Sequence, residues 1–244
     1  MTMTAGIIII GNEVLSGKTQ DLNSHFLCKE LRTLGVDVRR VSVIPDDVSL
    51  IGREAAAFSR QWDVVFTTGG VGPTHDDVTM EGIARGFEVK IIRHPDLEGR
   101  LRQRHGNQIN SARLRMAEVP EGAELISDPQ LYAPVIKFRN LYILPGIPKI
   151  LQQQFHAIKD RFRESPFLLK IIYVKEGEGT LAAKLNDLLG RFPDLALGSY
   201  PVLDNPDFRV KVTLESKDAG YLAKAFTALL STLPPESVHG IEEH

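Results

Sequence analysis

The stretch Asp63-Val-Val-Phe-Thr-Thr-Gly-Gly-Val-Gly-Pro-Thr-His-Asp-Asp-Val-Thr79 decides how the chain is read. Its first part is a short unbroken apolar run, the pattern of a strand buried on both faces. Three glycines in four positions follow, then two adjacent aspartates, then a helical stretch at Thr79–Phe87. Strand, glycine turn and helix in that order make one unit of a parallel α/β sheet. The same rhythm holds upstream. Ala5–Ile10 is a continuous apolar strand. Asn23–Leu34 places Phe26, Leu27, Leu31 and Leu34 on one helical face, and Gly35 stops it. Val36–Ile44 is a second strand and Ser49–Gln61 a second helix. This order predicts a doubly wound, mostly parallel sheet.

Downstream, the pattern predicts a helix at Pro95–His105, a strand at Leu141–Leu144 ended by Pro145-Gly146, and a helix over Pro148–Arg163. Pro166 marks a boundary. Beyond it lie strand Phe167–Val174, helix Thr180–Leu189, strands Leu195–Tyr200 and Phe208–Glu215, and helix Ala219–Leu230. We therefore expect an α/β domain over 1–165 and a smaller α+β domain, β-α-β-β-α, over 166–244.

The composition narrows the function classes. The 244 residues carry 29 Lys+Arg against 31 Asp+Glu, a net charge of −2, which argues against bulk electrostatic binding of nucleic acid. Ile7–Ile10 is far shorter than the ~20 apolar residues of a membrane helix. The opening MTMTAG lacks the basic region of a secretory signal. The one cysteine, Cys28, cannot form an internal disulfide, which makes a reducing, cytoplasmic setting the expectation.

Ligands of open parallel sheets bind beyond the carboxyl ends of the strands. The residues placed there are Gly11, Asn12 and Glu13 after the first strand, Asp46 and Asp47 after the second, and the run from Gly69 to Asp77 after the third. Glu13, Asp46 and one of Asp76 and Asp77 would share an edge, the other aspartate supporting or capping. Gly69, Gly70 and Gly72 let the backbone approach a ligand and offer N–H groups to an anion. Thr67, Thr68 and Thr74 add hydroxyls. A phosphate beside several carboxylates needs a cation between them, so the set points to a hard divalent ion of the Mg, Mn or Co type. Each feature also has a plainer reading. An Asp-Asp pair before a helix is often an N-cap, and a glycine turn is often only a tight connection. The run is neither a Walker loop nor G-x-G-x-x-G. His75 reads as a solvated loop residue. Arg100, Arg102, Arg104, Arg113 and Arg115 read as a solvated basic face, from which one or two could hold phosphate oxygens.

The glycine–aspartate run resembles the signature of the molybdopterin-binding domain family. Its Gly72-Pro-Thr-His-Asp-Asp77 form is similar to the CinA branch (competence/damage-inducible protein A). Gly11-Asn-Glu-Val-Leu-Ser-Gly17, Asp21-Leu-Asn23 and Val43-Ile-Pro-Asp-Asp47 resemble that branch's other motifs. Gly198-Ser-Tyr-Pro201 and Val210–Leu214 resemble the small domain that follows in CinA, and the matching part of eukaryotic FAD synthases. The resemblance implies a central sheet with helices on both faces. It implies a metal-dependent pyrophosphatase acting on FAD, ADP-ribose or a related dinucleotide, or a module that binds a nucleotide or pterin without cleaving it. By position, Asp46 and Asp77 match the metal-binding and catalytic aspartates, joined by Asp76 and Glu13 as metal ligands. Gly69, Gly70 and Gly72, with Thr68, Thr74, Gly11 and Asn12, match the ligand-binding loops. The ion set is a divalent metal, with a monovalent cation as an optional addition. The expected partner is a small phosphate-containing molecule, with neither nucleic acid nor membrane, in a homo-oligomer. Two departures stand out. Val71 replaces the threonine usual in the pterin branch, and Asp128-Pro-Gln-Leu-Tyr-Ala-Pro-Val135 lacks the glycines usual in CinA. On this resemblance the chain ends where the small domain would end, leaving no residues for a deamidase or adenylyltransferase domain.

Overall fold

The structure is a computed structural model that describes residues 2–129, 131 and 133–243. Met1, Gln130, Tyr132 and His244 lie outside the described residues, so two positions of the departing segment 128–135 are not characterised. The chain divides into two units, Met1–Glu164 and Ser165–His244.

The first unit opens with β1 (Thr4–Ile10), a one-turn helix α1 (Asn12–Leu15), α2 (Asn23–Thr33), β2 (Asp37–Ile44), α3 (Val48–Gln61), β3 (Val64–Thr68) and α4 (Thr79–Gly86). There follow β4 (Ile91–Arg93), α5 (Pro95–His105), α6 (Ser111–Arg115), β5 (Glu118–Pro120), β6 (Glu124–Ile126), β7 (Val135–Phe138), β8 (Leu141–Leu144) and α7 (Pro148–Ile158). Among the described residues the main sheet has six strands in the order β2-β1-β3-β8-β7-β6. β2, β1, β3 and β8 run parallel, and β7 and β6 continue antiparallel. β4 and β5 pair separately.

The isoleucines of β1 explain why the sheet is wound on both sides. Ile7 and Ile9 enter a core with Leu27 and Leu31 of α2 and Phe155 of α7. Ile8 and Ile10 point the other way, into a core with Ile51 and Phe58 of α3 and Ile83 of α4. A strand buried on both faces has no polar alternation, which is why the run reads as continuous. Asp47 starts α3 by accepting the Leu50 N–H at 2.7 Å. α3 and α4 then touch backbone to backbone. A Cβ built on Gly86 would lie 2.2 Å from the Gly52 carbonyl oxygen, and one on Gly52 would lie 2.7 Å from that of Gly82.

Two expectations need correction. The helix from Pro148 stops at Ile158, and Lys159–Phe162 tightens into a 3-10 turn, so the predicted end at Arg163 is too late. The second unit is β9 (Leu168–Val174), α8 (Glu178–Arg191), β10 (Ala196–Pro201), β11 (Val210–Ser216), α9 (Ala219–Leu230) and a further strand β12 (Val238–Glu243). The pattern is thus β-α-β-β-α-β. β12 pairs antiparallel to β9 and completes a sheet of order β10-β11-β9-β12. Ile172, Val212, Leu214, Leu185, Phe226 and Leu229 form part of this unit's own core. No helix among the described residues is long and apolar enough to cross a membrane.

Candidate active site

In the order β2-β1-β3, the chain leaves β1 toward one side and returns on the other, so a crevice opens between the carboxyl ends of β1 and β3. A cleft of about 1030 Å³ lies in the first unit, and its wall includes Glu13 from beyond β1 and Gly69, Gly70, Gly72 and Asp77 from beyond β3. Pro145, Gly146 and Ile147, from beyond β8, also line it. The rest is mixed: Ile91, Leu97, Leu101, Met116, Ile136 and Ile143 form apolar wall, with Arg100, Arg104, Arg115 and His105 among them.

The glycine loop is held from behind. Gly69 has φ +101° and Gly70 φ +61°, and a Cβ on Gly69 would fall 2.0 Å from the Ile10 carbonyl oxygen. Thr79, fully buried at the start of α4, donates its hydroxyl to Gly69 O at 2.8 Å and its N–H to Gly70 O at 3.0 Å. Both carbonyls are thereby occupied on the helix side.

Two of the four carboxylates that line the cleft, Glu13 and Asp77, each lie over a glycine. Glu13 folds against Gly11, whose Cβ would meet its Oε1 at 2.5 Å. Asp77 lies against Gly72, whose Cβ would meet Oδ2 at 2.6 Å. That Oδ2 accepts the Thr74 N–H at 2.8 Å and the Thr74 hydroxyl at 2.5 Å. Asp76 points into solvent, its side chain more than half exposed and 4.0 Å from His75. The Thr74 hydroxyl, close to both aspartates, holds the Asp76 carboxyl below the usual range, and Asp76's own N–H adds to this. Of the adjacent pair, Asp77 is therefore the one at the cleft.

Other expected residues have structural tasks. Asp46 accepts the Asn12 N–H at 2.8 Å, tying the end of β2 to α1, and neither of the two is among the residues that line the cleft. Thr68 is buried. Its hydroxyl donates to Pro145 O at 3.0 Å and accepts from Asn23 Nδ2 at 3.0 Å, so it braces the wall instead of facing a ligand. Thr67 is also fully buried, and its hydroxyl has no partner among the described residues.

Three residues have roles that the sequence did not assign to them. Asn23 sends its amide to Thr68 Oγ1 and to Gly146 O (2.8 Å), joining the ends of β3 and β8. Gln154 of α7 donates to Ala133 O and Pro134 O, while its buried Oε1 has no partner among the described residues. Arg115, placed only within a basic run, donates to Thr74 O at 3.1 Å and to Asp77 O at 3.3 Å. Each contact joins residues 20 to 123 positions apart, beyond the reach of any local pattern.

Among the described residues no three His, Cys, Asp or Glu side chains gather into a ready metal cage. Four carboxylates line the cleft, Glu13, Asp77, Glu81 and Glu118, and of these Glu13 and Asp77 lie beyond the carboxyl ends of β1 and β3, beside the glycine loop. Hard divalent ions are often held by one or two carboxylates, with phosphate and water completing the shell. The donor set therefore fits an ion that arrives shared with a phosphate ligand.

Residues 6–165 match the family described as "Probable molybdopterin binding domain", and residues 166–242 match "FAD synthase, middle domain". The chain is 33% identical to a "Probable FAD synthase" from Caenorhabditis elegans over 97% of its own length and 51% of that protein's. It is 29% identical to a "CinA-like protein" from Thermotoga maritima over 98% of its own length and 60% of that protein's. It thus spans about half to three-fifths of these relatives. A crystal structure of CinA from Thermoplasma acidophilum, 31% identical, covers 66% of this chain and 99% of its own with a TM-score of 0.61.

Proposed function

The chain belongs to the molybdopterin-binding domain family, with a FAD synthase middle domain behind it, and on that footing we propose that it hydrolyses the phosphoanhydride bond of FAD, ADP-ribose or a related dinucleotide. One observation carries the reading: Glu13 and Asp77 share a cleft wall with the Gly69–Gly72 loop, beside a long, largely apolar bed. The loop would take a phosphate on its backbone N–H groups. Glu13 and Asp77 would hold a divalent ion against the same phosphate. When bound, that ion supplies Lewis acidity and lowers the pKa of a coordinated water. The loop donors would stabilise the charge that builds on the phosphoryl oxygens. Water adds across the P–O–P bridge and two phosphomonoesters leave. The apolar wall would seat the ring at one end of the substrate, and Arg104 would meet the anionic middle. The family resemblance assigned Asp46 a metal role. We place it instead as the residue that sets Asn12 and the turn before Glu13.

The test is a screen of FAD, ADP-ribose and other dinucleotides against several divalent metals, read as AMP released. Wild-type protein should release AMP from at least one substrate. Asp77→Ala should lower turnover about a hundredfold or more, the scale of losing one transition-state stabiliser. Tight binding with no AMP under every metal would replace the hydrolase reading with that of a binding module.

A further inference from the structure

We propose that Arg115 is a positioning residue whose guanidinium fixes the turn that presents Asp77 to the cleft. The catalytic consequence rests on the hydrolase reading above; the structural one does not.

Arg115 is well anchored. It ends α6, whose start is capped by Asn110 Oδ1 accepting the Arg113 N–H at 2.9 Å. Two residues on, Ala117 is fully buried with Val119 and Leu97 in a small satellite core, and its carbonyl accepts the His94 N–H at 2.8 Å. From that base the side chain crosses to the far loop. One terminal nitrogen donates to Thr74 O, the other to Asp77 O. The same two residues are joined from inside by the Asp77 carboxylate on the Thr74 N–H and hydroxyl, and by the Asp77 N–H on Thr74 O at 3.3 Å. Carboxylate and guanidinium thus close one turn from opposite sides.

The turn needs such a closure. Pro73 to Asp76 are all exposed, so the loop has little packing of its own. Its neighbours in the basic run have other duties. Arg102 pairs with Glu98, Arg113 donates to Gln108 O, and Arg100 donates to Ser127 Oγ at 3.1 Å. The two carbonyls are met by separate nitrogens of one rigid plane, whereas a lysine would have to share a single ammonium on a flexible stem between them. A displacement of about 1 Å at a reacting group can cost about a hundredfold in rate.

Arg115 also lines the cleft, so a direct phosphate contact is the alternative the experiment must separate. Arg115→Lys and Arg115→Ala are compared with wild type by steady-state turnover, thermal melting and amide hydrogen exchange. If Arg115 positions Asp77, both variants lose about tenfold or more in kcat with KM changed less than about twofold. Exchange over residues 74–77 quickens in both while the melting temperature holds. Should Arg115→Ala fail to fold, Arg115→Lys decides by the same readouts. Recovery of turnover in Arg115→Lys, a raised KM with kcat intact, or unchanged exchange over 74–77 would overturn the proposal. Absence of AMP from wild type would refute the hydrolase reading alone, and exchange would still decide whether Arg115 holds the turn.

Discussion

Gly69 bears the tightest steric constraint on the cleft wall, because it combines a positive φ with a backbone carbonyl of β1, that of Ile10, standing where a Cβ would go. Gly69→Ala should therefore destabilise the protein by about 3 kcal/mol or more, adding left-handed strain to an overlap that only backbone movement relieves. Urea melts of the variant check this, and a loss below about 1 kcal/mol would show the loop to be far more yielding than its geometry implies. The glycine was legible in sequence, since Gly-Gly straight after a buried strand marks a turn whose backbone conformations are closed to other residues. The choice between Asp76 and Asp77 was not. Adjacent side chains on a turn diverge, but which one turns inward depends on where Thr74 and Gly72 lie in space. Thr68 misleads for the converse reason. A hydroxyl beside a glycine loop looks like a ligand donor until Asn23 and Pro145, far away in sequence, come to meet it.

The contact between α3 and α4 shows how packing builds the site's support. Gly52 and Gly86 let the two helices meet without an intervening side chain, and α4 begins at Thr79, which grips the glycine loop. Gly86→Ala should push the helices apart, because its methyl would have to overlap the Gly52 carbonyl. We expect a loss of about 2 kcal/mol in stability, within the range of overpacked cores, and, on the proposed function, weaker binding of a dinucleotide substrate as Thr79 shifts. Calorimetry and equilibrium dialysis measure the two effects separately. Helices such as α2 and α3 were legible because their apolar faces recur at helical spacing; that Asp47 caps α3 emerged only from the structure. β4, β5 and β6 escaped notice because each spans only three residues, too few for any period to register.

The two units each bury their own core, and the second depends on a strand near the end of the chain. β12 reads Val-His-Gly-Ile-Glu-Glu, with no clean alternation and a register shift between Val238 and Gly240, so sequence alone gave no strand there. It forms because β9 offers an unpaired edge. Lys170 of β9 then meets Glu243 at 2.6 Å and the Tyr173 hydroxyl donates to Glu242 at 3.1 Å. Deleting residues 238–244 should lower the stability of the second unit while leaving the first unit's melting unchanged. Hydrogen exchange reports this directly: β9 amides should lose protection and β1 amides should keep theirs. Uniform loss across both units would mean that the two unfold as one. The parallel half of the first unit was legible, because βα repeats with buried strands write long patterns, whereas β4 to β7 and the antiparallel edge of the sheet were not. The small sheet was legible only where apolar runs carried it.

Asn23 has a bearing on descent as well as on structure. Its single amide reaches the last residue of β3 and the turn after β8, so three distant positions answer to one side chain. A lineage that loses the amide leaves the Thr68 hydroxyl without its donor and the Gly146 carbonyl without a cap. Change at position 23 should therefore be inherited together with change at position 68, a paired substitution that records the geometry of the cleft in the history of the chain.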